Sequence, residues 1–591
     1  MAPYQYPPLE NATHFRILYI DPSEDYEKQL SGSLVHADLS DEPVFDALSY
    51  YWGAPDLSRR ILIDGCELAI TVNLDLALKR MRRRQEYCPH LRTGPIPIWA
   101  DGICVNQKNI PERNHQVRLM SQIYSNCREC LIHLGEEADG SGDMGFIEKT
   151  VCDYNRWDPR RNLAQSLTES IAGITREPLS QEDEDGWTRF RHLLSRPWFR
   201  RLWVIQEFAL PQQVRMICGA WEMAGGRFFT LILTTFTRNA SSPLWTVVYF
   251  AAAERPIEPV ALDFLASTRM RLGRSLAPLS KDMSPRPLPL FNLLSETRAF
   301  EATDPRDHFF AFLSLATDTK DSKLVADYSK TLEEVELEFA RQLVDDGYGL
   351  AMLRLVNYER ESPRTYLSWI PDWTGRFPQP DGRIWRDHSH KQPDPKTVCM
   401  ATSTDERTLL VQGCHIEVVK TVGMPISDDL HSLGSMEWLN EIEVMTAGFT
   451  SYPSGIDPLA EAIWRAIIAD RSYDQVRPAP EAYGSIYRKY CQSSGDKEGI
   501  FFFLAILAAG SVRFCITTGG FFGLVPSFAE AGDVIITIKG DEDQAMYAVR
   551  ASVTGENEDD ATYTWLGHAY VHDIWKVKKY EELEWSHLRI K

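Results

Sequence analysis

Residues 96–135 read IPIWADGICVNQKNIPERNHQVRLMSQIYSNCRECLIHLG. Ile96 to Val105 predicts a strand that runs into a polar loop. Pro111 and Glu112 predict a helix start, because a first helical turn leaves its N–H groups unbonded and proline has none to lose. Val117, Met120, Ile123 and Tyr124 then recur near the helical period. Cys130 to Leu134 predicts a buried strand closed by Gly135. Strand, helix and strand in this order favour a sheet covered by helices.

The same alternation extends upstream. Residues 15–24 (FRILYIDPSE) and 44–52 (VFDALSYYW) read as strands, the second ending at Gly53 and Pro55. Arg60 to Ile70 (RILIDGCELAI) predicts a hairpin turning on Asp64-Gly65. Asn73 can cap a helix running through Met81. Downstream, residues 136–186 are polar and acidic, and Trp187 to Leu210 is helix-rich. Residues 274–290 (RSLAPLSKDMSPRPLPL) read as a linker, 291–356 as helical and 357–400 as irregular. From about 405 onward, apolar and polar residues alternate, as in TLLVQGCHIEVVKTVG and DVIITIKG. The expected organisation is therefore an α/β domain over 1–225, a helical or linker segment over 226–290 and a helical middle region over 291–400. A β-rich domain over 401–591 completes it, read as a small β-barrel or sandwich with a helical insertion near 455–510.

Composition narrows the function classes. The 591 residues carry 63 Lys and Arg against 83 Asp and Glu, a net charge of −20, so global charge predicts neither a nucleic acid nor an anionic membrane as partner. Apolar residues at 44% and charged residues at 25% argue against disorder. The longest apolar run, Ile500 to Gly510, is about half of the roughly 20 residues that a membrane span needs. The N-terminal stretch MAPYQYPPLENATHF lacks the basic and apolar regions of a signal peptide. Eleven scattered cysteines fit reduced thiols, and together these features predict a cytoplasmic protein whose sequons at Asn11 and Asn239 stay bare.

Two short motifs read as structural. Cys127-Arg-Glu-Cys130 lacks the second ligand pair of a zinc site, and no metal is expected. Gly140, Gly142 and Gly145 spell GxGxxG, but Glu136, Glu137, Asp139 and Asp143 in the same loop would repel a pyrophosphate. Three other blocks are more informative. The first, Asp46-Ala-Leu-Ser49-Tyr50-Tyr-Trp52-Gly53, ends a strand in hydroxyls and aromatic faces, where open α/β sheets bind ligands; aromatic core packing is the alternative. The second runs Trp99-Ala-Asp101-Gly-Ile-Cys-Val-Asn106-Gln107 and precedes Glu112-Arg113. Its amides and carboxylate either cap the next helix and its loop or face a ligand. The third is Arg196-Pro-Trp-Phe-Arg200-Arg201-Leu-Trp203-Val-Ile-Gln-Glu207. Read as one helix, it places Arg200, Trp203 and Glu207 on a shared face. A carboxylate among Trp, Ile and Phe is costly unless it is functional or paired, here with Arg200 or Arg201.

In order, ALSYYWG, IWADGICVNQ…ER…QVRLMSQIYSNC…LIHLGE and RPWFRRLWVIQE resemble the three signature regions of the fungal heterokaryon incompatibility (HET) domain, over residues 44–222. ATDPRDHFFAFLSLA (302–316), ADYSKTLEEV (326–335), SWIPDW (368–373) and TGGFFGLVPSFAEAGDVI (518–535) resemble segments C-terminal to the domain in many members. Ala100, Gly102 and Val105 depart from the more usual Ile, Ala and Ile. HAYVHDIWKVKKYEE stands where members usually carry a Gly-rich YVHGIM segment. The resemblance implies a flavodoxin-like fold distantly related to Toll/interleukin receptor (TIR) domains, some of which hydrolyse NAD with one glutamate four residues after a tryptophan.

By that resemblance Glu207 is the candidate catalytic carboxylate and NAD a candidate substrate, with no resident cofactor. Nicotinamide leaves NAD without a general acid, so the site need only hold the ribosyl cation. Tyr50 or Trp52 would stack on rings, and Arg113 or Arg200 would bind pyrophosphate. Ser49, Asp101, Asn106, Gln107 and Trp203 complete the candidate binding set. A second expectation is a non-enzymatic module of non-self recognition that self-associates, meets an incompatibility partner protein and triggers cell death. A third is recruitment of the fold to a small-molecule biosynthetic reaction. A solvent-open Glu207 favours catalysis; a closed arginine pair favours a scaffolding role.

Overall fold

A computed structural model describes residues 2–87, 94–137, 140, 181–228, 265, 268–269, 287–320, 322–356, 367–374, 400–402, 407–426, 434–472, 476–492, 512–552 and 561–591. The acidic loop's Gly142 and Gly145, Asn239, most of the 274–290 linker and the apolar run 500–510 lie outside the described residues. The chain divides into two compact units, Met1–Thr331 and Leu332–Lys591. That boundary falls within the 291–400 span.

In the first unit the described strands are β1 (His14–Ile20), β2 (Leu30–Asp38), β3 (Asp46–Tyr50), β4 (Arg59–Ile63), β5 (Cys66–Ile70), β6 (Ile96–Trp99), β7 (Cys130–His133), β8 (Val214–Cys218) and β9 (Trp221–Ala224). They form one sheet in the order β5-β4-β2-β1-β6-β3-β7-β8-β9. The four strands β6-β3-β7-β8 run parallel, with Asp46 opposite Ile98, Leu48 opposite Leu131 and Ile132 opposite Met216. Antiparallel pairings flank them, β1 with β6 and β8 with β9. Parallel strands are covered on both faces. Accordingly every residue of β3 and β7 is buried, and the polar residues among them must find partners. Asp46 finds Arg128, at 2.8 Å to Nε; Ser49 belongs to the site below. The expected hairpin is present: β4 and β5 turn on Asp64 and Gly65, both with positive φ.

The described helices of this unit are α1 (Val72–Tyr87), α2 (Asp101–Cys104), α3 (Ile110–Asn126), α4 (Gln181–Leu194), α5 (Val204–Ala209), α6 (Leu290–Glu296) and α7 (Asp307–Phe310). Asn109 caps α3 by accepting from the Glu112 N–H at 3.2 Å, and Pro111 stands in its first turn. The apolar side of α3, Leu119, Met120, Ile123 and Tyr124, is buried. Tyr124 meets Trp99 of β6 edge to face, with centroids 5.4 Å apart. Arg16, wholly buried in β1, is tied to Glu112 of α3 through two bonds of 2.6 and 3.1 Å. Burying that guanidinium is tolerable only because its charge and donors are matched.

The second unit begins with α8 (Leu332–Asp345) and α9 (Gly349–Leu355), then β10 (Met400–Thr402) and the long β11 (Leu409–Pro425). α10 (Gly434–Thr446), α11 (Leu459–Ile467) and α12 (Ala482–Gln492) come next. The last two occupy the region expected as a helical insertion. Then come β12 (Val512–Thr517), β13 (Phe522–Pro526), β14 (Val534–Ile538), β15 (Met546–Ser552), β16 (Thr562–Val571), α13 (Ile574–Val577) and β17 (Ser586–Ile590). Pairing runs β11-β12-β13-β16-β15-β14 and returns to β11. One core of Trp438, Trp464, Phe514, Phe522 and Leu524 lies between strands and the α10–α12 helices. Among the described residues, no helix is long and apolar enough to cross a membrane.

Candidate functional site

The carboxyl ends of β3 and β6 bring Ser49, Tyr50, Trp52 and Asp101 together. Asp101 opens α2 and accepts from the Gly102 N–H at 2.7 Å. Its carboxylate also accepts from Trp52 Nε1 at 3.0 and 3.2 Å and is hydrogen-bonded to the Tyr50 hydroxyl. Gly102 is required by this proximity: a Cβ there would stand 2.5 Å from Tyr50 Oη.

Glu207, on α5, closes onto the same strand tip. Only 1% of it is exposed. Its Oε2 accepts from the Ser49 hydroxyl, and Ser49 Oγ in turn accepts from Trp198 Nε1 at 2.6 Å. Arg201 grips both carboxylate oxygens, Nη1 at 3.1 Å and Nη2 at 3.2 Å, while its Nη1 also reaches the Tyr50 carbonyl at 2.5 Å. The result is a latch from α5, through Arg201, to the end of β3. Burial pushes the Glu207 carboxyl above its usual range, and Arg201 and Ser49 oppose that push. Burial likewise raises Asp101, against Arg201 and Trp52. It also works against the Arg201 charge, but the Glu207 and Asp101 carboxylates outweigh it and the guanidinium pKa is raised. Chemically this is a sealed ion pair. Beside it lies the one water-exposed ring of the set, Trp52, at 37% exposure.

The other expected site residues are placed elsewhere, which corrects the shared helical face. Pro197–Arg200 is a separate 3-10 turn, Arg201 is extended, and helix α5 begins only at Val204. The extended Arg201 breaks the three-residue step from Arg200 to Trp203, while the Glu207 N–H still donates to the Trp203 carbonyl at 3.2 Å. Arg200 therefore lies beside Glu301, with Nε at 3.7 Å, and Trp203 donates to Asp307 at 3.0 Å. Arg113 stacks over Tyr328 at 3.7 Å and faces Asp304 at 3.6 Å. Asn106 and Gln107 shape the loop after α2: the Asn106 N–H donates to Glu112 at 2.7 Å, and Gln107 Nε2 donates to the Asp101 carbonyl at 2.9 Å.

Those contacts define a second buried polar set missed from the sequence. Asp307 receives the Tyr328 hydroxyl at 2.5 Å and the Trp203 indole at 3.0 Å. Burial, opposed by these two donors, pushes its carboxyl up to about 6. Arg306 grips Asp304 through two nitrogens, at 2.8 and 2.7 Å. Asn114 of α3 receives the Tyr328 N–H at 2.9 Å. Charged residues packed into ATDPRDHFFAF were the available signal. Arg201 and Trp198 were legible only as neighbours of Glu207.

The family model described as "Heterokaryon incompatibility protein (HET)" matches residues 45–207, so the Ser49–Glu207 contact joins the two ends of the matched span. The chain is 28% identical over 416 residues to "Heterokaryon incompatibility protein 6, OR allele" of Neurospora crassa. That similarity covers 62% of this chain and 58% of the relative, so the chain spans little more than half of that protein. No solved structure matches. The motifs fall in the expected order and the family model covers the latch: residues 45–207 match the HET domain, and the chain is similar to a fungal heterokaryon incompatibility protein.

Proposed function

We propose that this protein acts in heterokaryon incompatibility, as an effector of non-self recognition between fused fungal cells, and that its HET domain is a signalling module whose Glu207 holds the fold. The observation that carries the second half is the sealed Glu207–Arg201 pair, with 1% of the glutamate exposed. A ribosyl cation cannot approach a carboxylate whose oxygens are both engaged by Arg201. The role in incompatibility rests on the family match and the Neurospora crassa relative. Self-association and an incompatibility partner protein belong to this reading, and cell death is its output.

A second reading keeps catalysis. Trp52 and Asp101 sit at the strand tips and Trp52 is exposed, so release of Arg201 would place Glu207 beside a stacking face and a second carboxylate. In that reading NAD is hydrolysed only after self-association opens the latch. Both readings take the parallel order β6-β3-β7-β8 as flavodoxin-like, TIR-related topology, and the ring of pairings in the second unit as a small barrel.

The deciding experiment incubates wild-type protein and Glu207→Gln with NAD, dilute and after enforced dimerisation, and measures released nicotinamide. The signalling reading expects none from either protein. Release by dimerised wild type and not by Glu207→Gln would transfer the assignment to catalysis. Growth arrest on expression in a fungal host, retained by a folded Glu207→Gln protein, supports the first reading; no arrest by wild type sinks the effector role.

A further inference from the structure

We propose that a divalent transition-metal ion of the zinc class binds between Asp457, His572 and Asp573 in the second unit. One atom from each residue, the His572 Nε2 and a carboxylate oxygen of each aspartate, lies within 4.8 Å of the others. His572 Nε2 is 2.9 Å from Asp457 Oδ2 and 3.5 Å from Asp573 Oδ1. Bonds of about 2.0–2.2 Å to nitrogen and carboxylate oxygen put tetrahedral ligand atoms a little over 3 Å apart. The donor set, one imidazole and two carboxylates, suits zinc, and water would fill the fourth position.

Three further observations support the assignment. First, the imidazole is pre-set. His572 is 1% exposed, its carbonyl accepts from Tyr452 Oη at 2.7 Å, and its Nδ1 lies 2.9 Å from Tyr570 Oη. An outer partner of that kind orients metal-binding histidines. With Nε2 on the metal, the neutral ring's one proton sits on Nδ1, facing Tyr570. Second, Asp573 is held in the left-handed region at φ 61°, and Ser454 Oγ occupies its Oδ2 at 2.9 Å, which turns Oδ1 toward His572. Third, carboxylates gather here. Among the described residues, the ion pairs of Asp457, Asp573, Glu461 and Asp470 include Arg465 and Lys576, and Arg477 lies over the Tyr570 ring 5.3 Å from its centroid. Lys576 stands closest to where the metal would lie, with Nζ 2.7 Å from Asp573 Oδ1 and 3.7 Å from Asp457 Oδ1. Its side chain is 49% exposed, so the ammonium can swing into water and give way to the ion.

The test titrates the full-length protein, after chelation and desalting, with zinc chloride by calorimetry and with cobalt chloride by visible absorption. The expected result is one saturable equivalent with the absorption of low-coordinate cobalt. Lys576→Met removes the competing cation, and zinc should then bind at least about tenfold tighter. Asp573→Gly suits the backbone at this φ, and should abolish the site with the circular dichroism unchanged. If the network were only an ion-paired brace, Lys576→Met would bind no zinc. The absence of one-equivalent binding overturns the proposal. So does an affinity that Lys576→Met leaves unchanged or weakens, whether or not the Asp573 variant folds.

Discussion

At the scale of single residues, Arg201 is the group on which the HET site turns. It neutralises a carboxylate that has no water and supplies the Tyr50 carbonyl with a donor. Removing one partner of a buried pair strands the other charge, typically at about 3–5 kcal/mol. Arg201→Met should therefore lower unfolding free energy in urea by about that much, and a loss below about 1 kcal/mol would mean the pair is not sealed in solution. Glu207→Gln keeps the Ser49 contact and leaves Arg201 the Asp101 carboxylate and the Tyr50 carbonyl, so it should be milder. Asp307 makes a second residue-scale prediction. Its carboxyl titrates at about 6 in the folded protein, above the ordinary aspartate value near 3.9. Between those values the native state holds a proton that the unfolded chain has released, so stability falls as pH rises from about 4 through about 6. Relative to Asp307→Asn, wild type should lose up to about 3 kcal/mol across that window, measured by urea unfolding at each pH. A pH-independent difference would refute the raised value.

At the scale of elements, the close approach of α2 to β3 depends on Gly102. Gly102→Ala would press a methyl group against Tyr50 Oη and Leu74. Overpacking of this kind costs about 1–3 kcal/mol, and it should also loosen the Tyr50–Asp101 bond, visible as a changed tyrosine environment in the ultraviolet. The strand–helix–strand unit β6-α3-β7 was legible because its signals are local: a proline and a glutamate in the first turn and apolar residues at helical spacing. The geometry around Glu207 was not, because helical counting was carried from Arg200 to Trp203 across the extended Arg201. Sequence named Glu207 and two candidate arginines; only the folded chain separates Arg201, which turns inward, from Arg200, beside Glu301. The Asp307 set was illegible for another reason. Its members come from α3, the residue preceding α5 and the segment 301–330, and no spacing rule connects them.

At the scale of the whole molecule, the family match stops at Glu207 while the compact unit continues to Thr331. The difference is filled by contacts that the matched span needs. Gln206 donates to the Ala311 carbonyl at 2.6 Å, the Leu202 N–H donates to the Glu301 carbonyl at 2.9 Å, and Trp203 donates to Asp307. A fragment of residues 1–331 should unfold cooperatively and lose the same stability on Arg201→Met as the full chain. A fragment of residues 1–225, the domain expected from sequence pattern, should bind hydrophobic dyes and lack a cooperative transition. A stable, cooperative 1–225 fragment would show that the later segment is dispensable.

The pairing of β11 with β17 sets a timetable for the second unit. Leu409 lies opposite Ile590, and Gly413 opposite Ser586. On a ribosome adding about 5–20 residues per second, β11 emerges on the order of ten seconds before the strand that covers this edge. Throughout that interval the edge Leu409–Gly413 offers unpaired N–H and C=O groups to any neighbouring nascent chain. Biogenesis of this protein should thus be most vulnerable late in translation, and slowing elongation between β11 and β17 should raise its demand for chaperones.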